Sequence, residues 1–252
     1  MNALREQAQG LNAVWLIARR ELASYFATLS GYLILAAHLL VSGLLFNVFA
    51  VGSQPRLSQE VLEQFFYFSS GMAMVSGILL AMRLVAEERQ TQTLVLLRTA
   101  PVTERQVVWG KFLSALLFLA LTLGVSLYMP ALIFVHGKVS VTQIATGYLG
   151  LLLIGAACIA ITLLASVWSS TQLIAGVIGG MGVALLVICW MLARVTEEPL
   201  KALFVNLALH NIHFRSFSTG ILHLRDVAYY LGVIVLFLEA ATRSLEAWRW
   251  RE

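Results

Sequence analysis

Residues 87–102 read EERQTQTLVLLRTAPV and separate two long apolar stretches, residues 65–85 and 108–135. Each of the two stretches has about the 20 residues that a helix needs to cross the hydrocarbon core of a bilayer. A charged segment between two such stretches is typical of a membrane bundle that presents a docking element to a soluble partner.

The composition of the whole chain supports a membrane protein. Hydrophobic residues make up 60% of the 252 residues and charged residues 12%, and the mean hydropathy is +0.84. A soluble domain carries about 25% charged residues, so residues 1–252 are predicted to form a single membrane domain. The net charge of +4 favours membrane orientation and anionic lipid as its role, and not nucleic acid.

Six apolar stretches predict six transmembrane helices, because they are long and rich in Leu, Ala and Gly. These predicted spans cover residues 32–51, 65–85, 108–135, 144–167, 173–192 and 227–245. Pro130 is expected to kink the far end of the third span. Cys158 and Cys189 lie inside spans and are interpreted as packing residues, not as metal ligands or a disulfide.

Two segments outside the spans also have amphipathic patterns. Residues 11–29 carry an apolar and aromatic stripe at helical spacing, which predicts an interfacial helix in the headgroup plane. Residues 194–225 form the longest break and alternate apolar with charged side chains. A short amphipathic or re-entrant helix is expected there, against the mouth of the bundle. The stripe of the first segment consists of Leu11, Val14, Trp15, Ala18, Leu22, Tyr25, Phe26 and Leu29.

The distribution of Lys and Arg predicts the orientation. Six basic residues fall in the breaks on one side of the membrane, and the other eleven are on the opposite side. That second side also carries both termini and residues 87–102. The positive-inside rule places this second side in the cytoplasm. Its basic residues are Arg5, Arg19, Arg20, Arg83, Arg89, Arg98, Arg105, Lys111, Arg243, Arg249 and Arg251.

Residues 87–102 have the pattern of a short surface helix. Glu87 and Glu88 stand at its start, where carboxylates favour the positive end of the helix dipole. Leu94, Leu97 and Arg98 would share one face, and Pro101 would end the helix. An ordinary cytoplasmic loop of the same composition is the alternative interpretation.

Two segments resemble a known family. Residues 87–111 (EERQTQTLVLLRTAPVTERQVVWGK) and 213–246 (HFRSFSTGILHLRDVAYYLGVIVLFLEAATRSLE) resemble the permease subunits of type-2 ABC exporters. The pattern is most similar to the gliding-motility and copper-processing branch. Gln92 stands where that family usually has Gly, and we expect no consequence because Gln is the better helix former.

The resemblance implies an all-α permease fold in a bacterial inner membrane, with six spans preceded by an interfacial helix. It also implies that residues 87–102 are the coupling helix, which sits in a groove on an ATP-binding subunit. The partners would be two such subunits, a second permease copy or a paralogue, membrane lipid and an accessory periplasmic protein, with no nucleic acid. The predicted docking residues are Glu87, Glu88, Arg89, Thr91, Thr93, Leu94, Leu97, Arg98 and Pro101.

The chain has no phosphate-binding loop of its own. The only Gly-Lys pairs, at Lys111 and Lys138, are followed by Phe112 and Val139, and neither has the required earlier glycine. ATP and Mg²⁺ are therefore expected in a partner chain. This chain is expected to be non-catalytic, with no cofactor and no metal site. An intramembrane enzyme is disfavoured because no H-E-x-x-H or G-x-S-x-G motif occurs.

Two further sets of residues have open interpretations. Gly176, Gly179 and Gly180 in the fifth span predict either a dimer seam or close packing within the chain; the resemblance, which pairs spans one and five across a dimer, favours the seam. A second set near the predicted outer mouth could form an outer gate or interfacial anchors, and the His-x-x-His spacing in it is a weak metal signal. That set is His210, Asn211, His213, Phe214 and Phe217.

Polar residues at the ends and inside the spans have simpler interpretations. His38 and Asn47 in the first span predict interhelical hydrogen bonds, with a contact in a translocation pathway as the alternative. Glu239 and Arg243 are expected to pair at i, i+4, and Asp226 to cap the start of the sixth span.

Three functions remain open at this stage. The first is an export permease driven by a partner's ATP hydrolysis. The second is a membrane anchor that transmits ATP-driven motion to an envelope machine without passing a solute. The third, an intramembrane enzyme, is the least favoured.

Overall fold

The computed structural model describes residues 2–50, 57–93, 102–136 and 140–249. These residues form an all-helical fold, as predicted. The predicted docking residues Leu94, Leu97, Arg98 and Pro101 lie outside the described residues, as do residues 51–56 and 137–139. The helices are α1 (Asn2–Ala27), α2 (Leu29–Ala50), α3 (Ser58–Ala81), α4 (Ala86–Gln90), α5 (Glu104–Ser126), α6 (Tyr128–His136), α7 (Val141–Trp168), α8 (Gln172–Val195), α9 (Leu200–Leu207), α10 (Phe214–Thr219) and α11 (Leu224–Arg249).

Five helical segments of the described chain are long and apolar enough to cross a membrane. They are Leu29–Val48, Ser58–Gln90, Glu104–Ile133, Val141–Trp168 and Gln172–Val195, and they match the first five predicted spans. The sixth predicted span corresponds to α11, a 26-residue helix that is not among these five. It packs along α7, so the bundle has five to six candidate spans.

Helix α7 is the centre of the bundle, since 94% of its most apolar window is buried. Its neighbours are α3, α5, α8 and α11. Glycines allow them to approach closely, because a Cβ on Gly147 would lie 2.5 Å from the Phe66 ring and one on Gly155 2.4 Å from Leu119. Such contacts exclude any larger residue at these positions.

The bundle has two ends that are used as reference below. The α4 end holds α1, α4, the starts of α2, α5 and α8, and the C-terminal turns of α7 and α11. The α9 end holds α9, α10, the starts of α3, α7 and α11, and the C-terminal turn of α8. At the α4 end, Arg83 joins α1 and α2 to the end of α3. At the α9 end, Gln143 joins α7 to α10.

The N-terminal helix differs from the predicted interfacial helix in how its faces are used. Ala18 and Tyr25 from the predicted stripe are buried against the bundle, and the Tyr25 hydroxyl donates to the Leu80 carbonyl at 2.9 Å. Trp15 and Phe26 of the same stripe remain exposed. The stripe is divided because α1 packs along α5, so only part of it is free to contact lipid.

A tight turn joins α1 to α2. A Cβ on Gly31 would lie only 2.0 Å from the Tyr25 carbonyl oxygen, so this position accepts glycine alone. The turn leaves Thr28 and Ser30 beside the end of α3, within hydrogen-bond distance of Arg83.

The predicted kink in the third span lies between α5 and α6. Helix α5 ends at Ser126 and α6 begins at Tyr128, and Pro130 lies in the first turn of α6. Proline has no N–H to bond to the Ser126 carbonyl, so the helix breaks before it and Pro130 occupies a position where it is tolerated.

Candidate functional site

Helix α4 opens the predicted docking segment and is fixed to the central helix. The backbone N–H groups of Val85 and Ala86 donate to the Ser166 hydroxyl of α7 at 3.1 and 2.9 Å. The same hydroxyl donates to the Met82 carbonyl at 3.1 Å. These N–H groups at the start of a helix have no partner within the helix, so a serine from another helix acts as the cap of α4.

A buried lysine connects α4 to two other helices. Lys111 of α5 is 1% exposed, and its Nζ lies 2.7 Å from Glu88 Oε1 of α4 and 2.9 Å from Glu21 Oε1 of α1. The other carboxylate oxygen of Glu88 is buried without a hydrogen-bond partner among the described residues. The three side chains, called here the lysine triad, hold α1, α4 and α5 together.

The lysine triad gives Glu88 and Glu21 a partner that the sequence analysis did not predict. Glu88 was predicted to face the ATP-binding partner, whereas its side chain faces Lys111 inside the protein. Glu21, which is not part of the predicted apolar stripe of α1, faces α5. The sequence signal that could have found this site is Lys111 itself, a charged residue in the apolar stretch WGKFLSALL, where charge requires a partner.

Arg83 fixes the junction between the end of α3 and the α1–α2 turn. Its guanidinium donates to the hydroxyls of Thr28 at 3.1 Å, Ser30 at 2.6 Å and Ser24 at 3.0 Å. Arg83 Nε also lies 3.0 Å from a carboxylate oxygen of Glu87. Glu87, another predicted docking residue, is thereby oriented from α3.

Arg89 extends α4 to the last helix of the chain. Its guanidinium donates to the Ser169 carbonyl at 3.3 Å and lies 4.3 Å from the centre of the Trp248 ring of α11. The cation–π contact is favourable because the ring face is electron-rich. Helix α4 therefore contacts α5, α7 and α11 directly and is linked to α1 through Lys111.

The end of α4 corrects the prediction of one helix over residues 87–102. The Gln92 N–H donates to the Arg89 carbonyl and the Thr93 N–H to the Glu88 carbonyl, which is the hydrogen-bond pattern of a Schellman motif. Gln92 has φ 60°, the left-handed conformation that glycine adopts most easily. Glycine is therefore the natural residue here, and the argument that Gln92 suits the position because Gln is the better helix former was wrong.

A cavity of about 430 Å³ lies beside α4 at the same end. It is polar on the side of α4 and the lysine triad and is bounded by Val102 at the start of the next segment. Its lining residues are Ile17, Arg20, Glu21, Ser24, Arg83, Leu84, Glu87, Glu88, Thr91, Thr93, Val102 and Lys111.

The predicted dimer seam is divided between two environments. A Cβ on Gly179 would lie 2.6 Å from the Thr162 side chain, so Gly179 packs within the chain. Gly176 lies near Met82, whereas Gly180 has no atom within 4 Å of its Cβ position. Only Gly180 of the three lies on an open face of α8.

The predicted outer gate is divided in the same way. Phe214 and Phe217 are fully buried, and a Cβ on Gly150 would lie 2.6 Å from Phe217. His210 and Asn211 face a cavity at the α9 end. His213 turns away from that cavity and lies 2.9 Å from Asp226.

Polar residues elsewhere mostly have the predicted partners. His38 Nδ1 lies 2.9 Å from the Ser76 hydroxyl of α3, and Arg243 pairs with Glu239 at 3.5 Å, so both predictions are confirmed. Asp226 accepts hydrogen bonds from Ser216 and His213, so it joins α11 to α10 and is not the predicted cap. Among the described residues, no three His, Cys, Asp or Glu side chains are grouped to hold a metal ion.

A family model described as ABC-2 family transporter protein matches residues 27–207, which is most of the chain. The chain belongs to the ABC-2 transporter family. The match includes α4 and the whole of the predicted docking segment. No curated protein is significantly similar to the chain in sequence. ABC-2 transporter membrane subunits associate with ATP-binding subunits and are typically non-catalytic, so the contacts of α4 can be interpreted in terms of coupling.

Proposed function

We propose that this ABC-2 transporter chain is a half-permease that couples ATP hydrolysis in two separate subunits to outward movement of a substrate. The observation that carries the proposal is the set of contacts made by α4. The five-residue helix that opens the predicted docking segment contacts α5, α7 and α11 directly and is linked to α1 through Lys111.

These contacts suggest a route for motion from a docked ATP-binding subunit. Ser166 links α4 to the central helix α7, and Lys111 links it to α5 and α1. A displacement of α4 must either move these helices or break buried polar contacts. Breaking a buried ion pair, so that one charge is left without its partner, costs about 3–5 kcal/mol. Moving the helices is therefore the easier response.

The proposal includes a second copy of the chain or a paralogue. Helices α2 and α8 are the least buried of the five candidate spans, with 22% of their most apolar windows buried. Gly180 lies on the open face of α8. A partner permease against α2 and α8 would cover apolar surface and allow close approach at this glycine.

In the proposed orientation, the α4 end of the protein lies in the cytoplasm of a bacterium, because the excess of Lys and Arg is at that end. Single cysteines at Thr91 and Ser170, in a variant lacking Cys158 and Cys189, should react with an impermeant thiol reagent only after lysis. A cysteine at Thr196 should react in intact cells. The reverse pattern would contradict the orientation.

Docking is tested by the double variant Leu94→Asp and Leu97→Asp. Both leucines belong to the family-like segment, and a carboxylate buried in an interface costs several kcal/mol. We expect the affinity-tagged variant to lose the ATP-binding subunit on purification. The matched control is Leu222→Asp with Leu224→Asp, two exposed leucines at the other end, which should retain it. Equal retention by both double variants would contradict the proposed docking site.

A membrane anchor for an envelope machine is the second candidate, because the chain resembles the gliding-motility branch. Both candidates require docking at the α4 end. Only a permease should show ATPase activity that rises with added transport substrate.

A further inference from the structure

A second, larger cavity lies at the α9 end, opposite to the proposed docking site. It has a volume of about 890 Å³ and lies between the first turns of α3, the last turns of α8, and helices α9 and α10. This volume is within the range of small-molecule sites. Its lining residues are Glu60, Glu63, Gln64, Tyr67, Trp190, Ala193, Arg194, Lys201, Val205, His210, Asn211, Ile212, Phe214, Arg215 and Ser218.

The cavity is lined by charged groups of both signs. Glu60 and Glu63 come from α3, whereas Lys201 and Arg215 come from α9 and α10. The side chains of these four residues make no hydrogen bond or ion pair with other described residues. Charged groups that line one concave site without pairing to each other are available to a ligand that carries both a positive and a negative group.

The cavity wall is ordered by aromatic and polar contacts. The Arg194 guanidinium lies 4.7 Å from the centre of the Trp190 ring, which keeps it over the wall formed by α8. The Tyr67 hydroxyl donates to Asn211 at 3.1 Å, and His210 Nε2 lies 2.6 Å from the Ser70 hydroxyl. The α9–α10 connection is held to α3 by these bonds and to α8 by the Leu209 N–H, which donates to the Leu186 carbonyl at 3.1 Å, so the cavity is pre-formed.

Apolar surface continues from the cavity along the ends of α8 and α9. Leu192 and Val195 on α8 and Leu200 and Leu203 on α9 are exposed, Val195 by 87%. Helix α8 is a candidate span that ends at Val195, so this surface lies where the hydrocarbon region gives way to headgroups. A water-soluble ligand would leave it uncovered, whereas lipid acyl chains would cover it.

We propose that the cavity binds the headgroup of a zwitterionic phospholipid with a primary ammonium, of the phosphatidylethanolamine class. The phosphate pairs with Lys201, Arg215 and Arg194, since guanidinium groups match phosphate oxygens in geometry. The ammonium donates to Glu60 and Glu63. The acyl chains extend over the exposed apolar residues at the end of α8 and on α9, namely Leu192, Val195, Leu200 and Leu203. This site involves neither ATP nor the docking segment, so it does not rest on the proposed function.

The two acidic and the basic residues of the cavity together predict a specific lipid preference. An anionic headgroup without an amine leaves both glutamates without a counter-charge, and a choline headgroup cannot donate hydrogen bonds to them. We therefore expect phosphatidylethanolamine to bind at least tenfold more tightly than phosphatidylglycerol or phosphatidylcholine, because each charge-assisted hydrogen bond contributes about that factor.

The test is native mass spectrometry of the purified full-length chain in detergent, titrated with short-chain lipids of the three headgroups. The double variants Glu60→Gln with Glu63→Gln, and Lys201→Gln with Arg215→Gln, should each weaken phosphatidylethanolamine binding at least tenfold. The matched controls are Glu197→Gln and Arg225→Gln, which change exposed charges of the same end outside the cavity and should leave binding unchanged.

Three outcomes would overturn the proposal. Equal affinity for the three lipids would remove the headgroup preference. Unchanged binding in both cavity variants would place the lipid elsewhere. Glycerophosphoethanolamine, the headgroup without acyl chains, should bind at least tenfold more weakly than the lipid, and equal binding would show that the ligand is water-soluble.

Discussion

The lysine triad makes a sharp prediction about coupled charges. Lys111 is 1% exposed, while the side chains of Glu21 and Glu88 are 23% and 19% exposed. Replacing Lys111 with Met keeps the volume but leaves two neighbouring carboxylates without a counter-charge. Because both glutamates retain some contact with water, the cost should be near the lower limit for a broken buried pair, about 3 kcal/mol.

The size of the loss depends on which charges remain. Glu88→Gln leaves Lys111 paired with Glu21 and should cost about 1–2 kcal/mol, the value of one hydrogen bond to a charged group. The double variant Lys111→Met with Glu88→Gln leaves only Glu21, which is the more exposed of the two acids. It should therefore cost less than the sum of the single variants, with a coupling of about 1–2 kcal/mol.

The assay is thermal unfolding of the purified chain in detergent, with the midpoint compared among wild type, both single variants and the double variant. For a chain of this size, 1 kcal/mol corresponds to about 2–4 °C, so Lys111→Met should lower the midpoint by about 6–12 °C. The control is Arg243→Met, which removes an exposed charge from a surface pair and should change it by about 2 °C at most. Additive effects of the two single substitutions would refute the reasoning.

Substitutions at Gln92, Gly31 and His210 test three local features of the fold. Gln92→Gly should raise stability by about 1 kcal/mol, because glycine adopts the left-handed conformation without steric cost, and a lower unfolding midpoint would contradict the Schellman assignment. Gly31→Ala should prevent stable folding, since its Cβ would overlap the Tyr25 carbonyl; a well-folded variant by gel filtration would show that the turn is misassigned. Burial lowers the pKa of His210, opposed by its hydrogen bond to Asn211, so its contribution to stability is present above pH 6.5 and lost below it. The unfolding midpoint should therefore fall more steeply between pH 7 and 5 in wild type than in His210→Gln, and parallel curves would contradict this.

The spans could be predicted from the sequence because each is decided by local composition. A run of about 20 apolar residues must be a helix in a bilayer, whatever it packs against. The five candidate spans therefore fall within a few residues of the predicted ones, apart from the second. That segment begins at Ser58, seven residues before the predicted start, because its first turns are polar and lie at the α9 end.

The partners of the charged residues could not be predicted in the same way. Glu21 and Lys111 are separated by 90 positions in the sequence, and their contact requires α1 to pack along α5. The amphipathic pattern of α1 indicates a polar face but not what that face contacts. Likewise, the composition around Gln92 favours a helix, whereas the hydrogen bonds of Thr93 and Gln92 to Glu88 and Arg89 end it.

The central claim is that an ATP-binding subunit docks beside α4, and site-specific photocrosslinking tests it directly. Benzoylphenylalanine replaces Thr93, an exposed residue at the end of α4, and in a control variant Glu197, an exposed residue at the α9 end. After irradiation of intact cells, the tagged chain is purified and its adducts are identified by mass spectrometry. We expect an adduct with an ATP-binding subunit from position 93 and none from position 197; an adduct from position 197 alone would contradict the account.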